Sequence, residues 1–143
     1  MKRNWILVTV AVVLAVIYVV FFTDWFKPKT LQIFHTSRTV HTRRNHGTTE
    51  RVMIFGLNRL LPLKEIKVVQ LAAYQTNQNT LPLWHLISDS NSVPVKAFVY
   101  GLPIRGLKPE VPGVHPQPLA KDTTYRLFVV SGDVKGEHDF ELK

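Results

Sequence analysis

The sequence predicts one all-β sandwich of about seven strands carried behind a single N-terminal transmembrane α-helix. Three observations lead there. Residues Trp5 to Phe22 form an uncharged apolar run in which nothing is more polar than Thr9 and Tyr18. Beyond it, hydrophobic residues recur with a period of two more often than 3.6, the alternation of half-buried strands. Turn-forming clusters, Asp89-Ser-Asn-Ser, Gly101-Leu-Pro, Ser131-Gly-Asp and Lys135-Gly-Glu among them, interrupt that alternation at short intervals.

The apolar run is the first element. Its eighteen residues, at about 1.5 Å of helix rise each, cover about 27 Å and so just cross a hydrocarbon core of about 30 Å. Lys2 and Arg3 precede it, and Phe21, Phe22, Trp25, Phe26, Lys27 and Lys29 close its far end, the aromatic and basic flanks of a membrane span. Seven of the thirteen residues from Val8 to Val20 are valine. Their β-branching disfavours helix in water, but in lipid the backbone must satisfy its own hydrogen bonds, and a helix does so. The run ends in Phe-Phe-Thr-Asp-Trp-Phe with no small-residue cleavage site, and the chain has no cysteine for lipid attachment, so the segment reads as an uncleaved anchor in the lipid bilayer. Ala11 and Ala15 stand four apart, a small-xxx-small face suited to self-association of two such helices.

Orientation rests on length rather than charge. Lys2 and Arg3 on one side are balanced by Lys27, Lys29, Arg38, Arg43 and Arg44 on the other. A long domain behind a four-residue head favours translocation, so the N-terminus is expected in the cytoplasm and the domain outside it. A cytoplasmic-facing domain is the alternative that the balanced charges leave open.

The chain divides into a short head, 1–4, the helix and its interfacial anchor, 5–26, and a juxtamembrane segment with the first strand and a basic loop, 27–50. Residues 51–143 complete the sandwich, so that a single domain covers 30–143. The whole chain carries a formal charge of +8, but outside the anchor and its flanks 14 basic residues meet 9 acidic ones. A net of +5 is too thin for a nucleic-acid surface. Strands are expected at Leu31–Thr36, Arg51–Leu57, Glu65–Ala72, Leu83–Ser88, Val95–Tyr100, Thr124–Ser131 and Asp139–Leu142. Leu63, Ile66, Val69 and Ala73 also fit one face of a helix over 63–74.

One short pattern bears on the fold family. In Leu119-Ala-Lys-Asp-Thr-Thr-Tyr125, followed by Arg-Leu-Phe-Val-Val, a leucine stands six residues before a tyrosine that opens an apolar strand. This resembles the tyrosine corner of fibronectin type III and immunoglobulin-like domains, in which the hydroxyl bonds back to upstream backbone. The resemblance implies a sandwich and no particular activity. A wider set, Leu83-Trp84, Pro94-Val-Lys-Ala-Phe98-Val-Tyr100-Gly101, Pro118-Leu119, Tyr125 and Phe140, resembles membrane-anchored or lipid-anchored bacterial proteins of unassigned function. That resemblance implies an envelope location, here the bacterial inner membrane, with the helix standing in for the missing lipidated cysteine.

Candidate sites are few. Between His35 and His46 three histidines and three arginines, Arg38, Arg43 and Arg44, crowd into twelve residues. Arginine forks match phosphate and carboxylate, so an anionic partner or headgroup surface is the reading for these arginines. His35, His41 and His46 are the basis of the alternative, a membrane-tethered enzyme or metal-binding protein, although His-x5-His-x4-His lacks the spacing of strong metal motifs. Trp84 is expected in the core rather than stacked on a ligand, with His85 pointing outward. The proline-rich stretch Pro109–Pro118 is expected to be a stiff crossover. Around Asp133, Glu137, His138, Asp139 and Glu141, alternation places the three acidic residues from Glu137 on the solvent face of an edge strand and His138, Phe140 and Leu142 on the other.

No nucleophile elbow, P-loop, dinucleotide fingerprint or zinc-protease motif is present, and no cofactor is implied. The expectation is a single-pass protein presenting a binding or scaffolding sandwich, with another envelope protein as partner and no enzymatic role.

Overall fold

The structure is a computed structural model that describes residues 2–22, 30–41 and 49–143. It contains one N-terminal apolar helix and eight strands in two antiparallel sheets packed face to face. The helix α1 spans Lys2–Phe22, and its segment Asn4–Phe22 is long and apolar enough to cross a membrane. Its aliphatic side chains are exposed along its length, consistent with a surface that a bilayer covers. The hydroxyl of Thr9 donates to the Trp5 carbonyl at 2.9 Å, which satisfies one of the few polar groups of the span within the helix itself. Trp25, Phe26, Lys27 and Lys29, expected to flank the anchor, lie outside the described residues.

Strand β1 (Ile33–His41) pairs with β2 (Thr49–Leu61), and β2 pairs with β5 (Val95–Val99), making a three-stranded sheet. The second sheet has five strands in the order β6-β4-β3-β7-β8, with β3 at Glu65–Gln70, β4 at Trp84–Ile87, β6 at Lys108–Pro109, β7 at Thr124–Ser131 and β8 at Val134–Glu141. The clearest alternation is in β7, where Tyr125, Leu127, Val129 and Ser131 are buried and the residues between them are not. A two-residue turn joins β7 to β8, and Gly132 at φ +57° supplies the left-handed backbone that such a turn needs at its first position.

The core lies between the sheets. Phe55 and Phe98 of the three-stranded sheet meet Phe140, Tyr125 and Trp84 of the five-stranded one, with Phe55 and Phe140 edge to face at 4.8 Å. Such tilted contacts suit the aromatic quadrupole better than a face-to-face sandwich. Trp84 is core, 5.1 Å from the Tyr100 ring. The buried hydroxyl of Ser92 accepts from the Leu63 amide and donates to the Val93 carbonyl, both at 2.8 Å, so its burial leaves nothing unpaired.

Several expectations are corrected. The strand expected to end at Thr36 runs on to His41, because β2 also extends and the two pair without interruption from Ile33↔Leu57 to His41↔Thr49. Arg38 therefore lies in the same strand as His35, not in a loop. The strand expected over Glu65–Ala72 ends at Gln70, and the chain turns into a short helix, α2 (Leu71–Thr76). That helix sets Tyr74 against Phe128 on the outer face of the five-stranded sheet, ring centroids 5.3 Å apart, covering an aromatic that alternation leaves outside. The last strand begins at Val134 rather than Asp139.

Candidate functional site

The open side of the sandwich lies where β1 and β8, each an edge strand of its own sheet, come together. At their start they are joined. Thr30 bridges Lys135 in parallel, the Leu31 amide reaches the Lys135 carbonyl at 3.5 Å, and Gly136 admits the Leu31 backbone without a side chain in the way. Further along, His35 Nδ1 and His138 Nε2 stand 2.7 Å apart, a hydrogen bond that requires one ring to donate and the other to accept. Burial and the neighbouring His35 both push the His138 imidazole below its ordinary value, while Asp139 pulls the other way.

Beyond this pair a trough of about 580 Å³ opens, lined by His35, Thr36, Ser37, Thr124, Asp139, Phe140, Glu141 and Lys143. Asp139 is held by Arg126 in a bidentate pair, Nε to Oδ1 at 2.6 Å and Nη2 to Oδ2 at 2.8 Å. The guanidinium keeps the Asp139 carboxyl below the usual range, and its own value rises in return. On the other wall Phe34 through Val40 of β1 are all exposed.

A second concavity, about 400 Å³ and mostly apolar, lies beside β4 under the proline-rich segment. That segment closes the β4 edge at three places. Lys108 and Pro109 pair with Ile87 and Leu86, the Glu110 amide donates to the His85 carbonyl at 3.3 Å, and the Gln117 amide donates to Leu83 at 3.0 Å. Between the last two contacts Val111-Pro-Gly-Val114 turns outward, leaving Val111 and Val114 exposed beside Leu81 and Leu102. His85 does not point freely outward as alternation suggested. Its Nε2 is 2.7 Å from Glu65 Oε1, and its Nδ1 is in ion-pair contact with Glu110 Oε2 without a well-formed hydrogen bond.

Of the residues singled out from the sequence, Arg38 lies exposed on β1, and the side chains of His41, Arg43, Arg44 and His46 lie outside the described residues. The structure brings His35 to His138, 103 positions away. Tyr125 is buried, and its hydroxyl accepts the Ala120 amide at 2.8 Å while Leu119 packs at the rim of the core. Glu137 and Asp139 are exposed and Phe140 and Leu142 buried, the alternation expected of the last strand. The Glu65–His85–Glu110 contact and the His35–His138 pair had no local signal, since neither spacing repeats a helix turn or a metal motif.

Among the described residues no three histidine or acidic side chains come together so as to hold a metal ion. No protein-family model matches the chain, and neither a curated protein nor a solved structure matches it.

Proposed function

We propose that this chain is a single-pass membrane protein whose sandwich is a non-enzymatic module for binding another protein, displayed on the outer face of a bacterial inner membrane. One observation carries the reading: among the described residues nothing covers the edge of the long strand β1 after its seam with β8, above a trough. A sheet edge with unpaired N–H and C=O groups is a template for another chain unless something blocks it. Tethering by α1 would confine that edge to a membrane surface, where partners in the same membrane are concentrated.

The finer fold assignment belongs to the same proposal. Apart from the two-residue β6, the order β1-β2-β5 over β4-β3-β7-β8 supports a fibronectin type III or immunoglobulin-like sandwich. So does the bond from the Ala120 amide to Tyr125 near the start of β7, the arrangement of a tyrosine corner. Self-association through Ala11 and Ala15 is part of the proposal only as a secondary contact, and Ala15→Leu in the full chain would lower it.

The test is a scan of photo-crosslinking side chains introduced singly into the full chain in its native membrane. Positions are Thr39 on β1, Lys96 on β5 and Val114 beside the proline-rich segment. Discrete adducts with a membrane or envelope protein support a binding module; silence at all three positions overturns it. A reporter active only outside the cytoplasm, fused after Lys143, reads the orientation, and an inactive fusion removes the outer-face assignment.

A further inference from the structure

We propose that the edge of β1 from His35 to Thr39 takes an extended acidic segment of a partner protein as an added strand. The inference rests on the binding-module reading and names the place and the chemistry.

Backbone parity identifies which groups face the partner. The Asn58 amide donates to Gln32 at 3.1 Å, so Gln32 turns its backbone toward β2, and the unbroken register keeps that parity along the strand. In an antiparallel ladder the alternate residues then point their N–H and C=O groups away from the partner strand. Those residues are His35, Ser37 and Thr39. Leu31 has the same parity and directs its amide to Lys135 of β8, which shows the edge in use at its seam; among the described residues no backbone group meets it from His35 to Thr39.

The other described edges are less suited. The β4 edge is closed by Lys108, Pro109 and Gln117. β5 is only five residues long and follows Pro94 directly. On β8 the carboxylates of Glu137, Asp139 and Glu141 would stand directly beside an added acidic strand, whereas of these only Asp139, already held by Arg126, and Glu141, near Lys143, reach the trough beside β1. No proline interrupts 33–41.

Charge sets the sign of the partner. Among the described side chains of β1 and β2, Arg38, Arg51, Arg59 and His35 stand against the single acidic residue Glu50. The side chain of Arg38 occupies the outer face of the sheet, opposite in the pleat to His35 and Ser37, which border the trough. An added strand would set alternate residues beside Arg38 on the outer face, where carboxylates pair with it, and the residues between them over the trough, where uncharged side chains avoid Asp139 and Glu141. A lipid headgroup is the poorer occupant. Its phosphate accepts hydrogen bonds but has no N–H to return, whereas the edge offers both donors and acceptors in alternation.

The test uses the full chain in nanodiscs of zwitterionic lipid at neutral pH. The probe is a fluorescent, end-blocked octapeptide alternating valine and glutamate, with a valine–lysine octapeptide as control, read by anisotropy. The expected result is at least tenfold tighter binding of the acidic probe, weakening as salt is raised. Ser37→Pro removes an outward amide without touching the β2 ladder and should reduce acidic-probe binding tenfold or more with the melting temperature retained. Arg38→Glu leaves the backbone intact and should cancel the preference for the acidic probe, so the proposal stays testable if the proline variant folds poorly. Equal binding of both probes, or unchanged binding by both variants, overturns it. Flotation with phosphatidylglycerol vesicles that Arg38→Glu abolishes, with no acidic-probe binding in the same preparation, reassigns the basic strand to headgroups and also overturns it. Failure here with crosslinks at Lys96 or Val114 removes only the β1 assignment, whereas failure together with a silent scan removes the binding-module reading as well.

Discussion

The carbonyl oxygen of Leu31 lies 2.9 Å from where a Cβ on Gly136 would stand, and the Leu31 Cβ lies 2.8 Å from the same point. Both distances are too short for carbon, and one of the atoms belongs to the backbone. Glycine at 136 is thus a packing requirement of the seam that ties the segment leading into β1 to β8. Gly136→Ala should destabilise the domain by about 1–3 kcal/mol, the ordinary cost of overpacking a closed contact. A fall in the melting temperature of the purified full chain checks it.

The His35–His138 pair predicts acid sensitivity. Burial and His35 hold the His138 imidazole below its ordinary value of 6.5, so the folded state binds fewer protons there than the unfolded chain. The stability this group contributes is complete above the ordinary value and declines as the pH falls through 6.5 toward the lowered folded value. The melting temperature should therefore drop more between pH 7.5 and 5.5 in the natural chain than in His138→Gln. Parallel curves for the two would sink the idea.

Arg126 and Asp139 are directly opposed across β7 and β8 and meet through two short hydrogen bonds. Both are partly solvated, so screening leaves the pair worth about 0.5–1 kcal/mol. A double-mutant cycle with Arg126→Met and Asp139→Asn should return that coupling at neutral pH. Because the Asp139 carboxyl is held below its ordinary 3.8, the contribution is present above that value and disappears as the pH falls through the lowered one.

Tyr125→Phe keeps the ring stacked against Phe140 at 5.7 Å but removes the acceptor of the Ala120 amide. An amide left without its partner in a part-buried turn costs about 1–2 kcal/mol. Urea denaturation should show a lower midpoint with an unchanged slope, and no loss of β signal in circular dichroism.

An apolar helix long enough to cross a membrane and the two-layer β class were legible in the residues because both are set by short-range composition. A helix crosses a bilayer when about twenty consecutive residues are apolar, whatever follows them. A half-buried strand shows its alternation within five to eight residues, and the expected bounds Thr124–Ser131 of β7 coincide with those observed because Tyr125, Leu127 and Val129 alternate cleanly up to a glycine turn.

Contacts between distant segments decided the rest. Residues 33–41 form one long strand because β2 supplies a ladder along their whole length, while their polar side chains by themselves suggest a loop past Thr36. Leu71–Thr76 is helical where strand propensity continues, since the helix delivers Tyr74 onto Phe128. Glu65, His85 and Glu110 meet, as do His35 and His138, only after four sequence-remote strands and the proline-rich segment are packed; that segment joins β6 to β7 within the five-stranded sheet and does not cross to the other sheet as expected. Side-chain periodicity records which face of a strand is buried. It carries no information about which strand lies next to it, and the place of β1 at a sheet edge beside the trough follows from that neighbourhood alone.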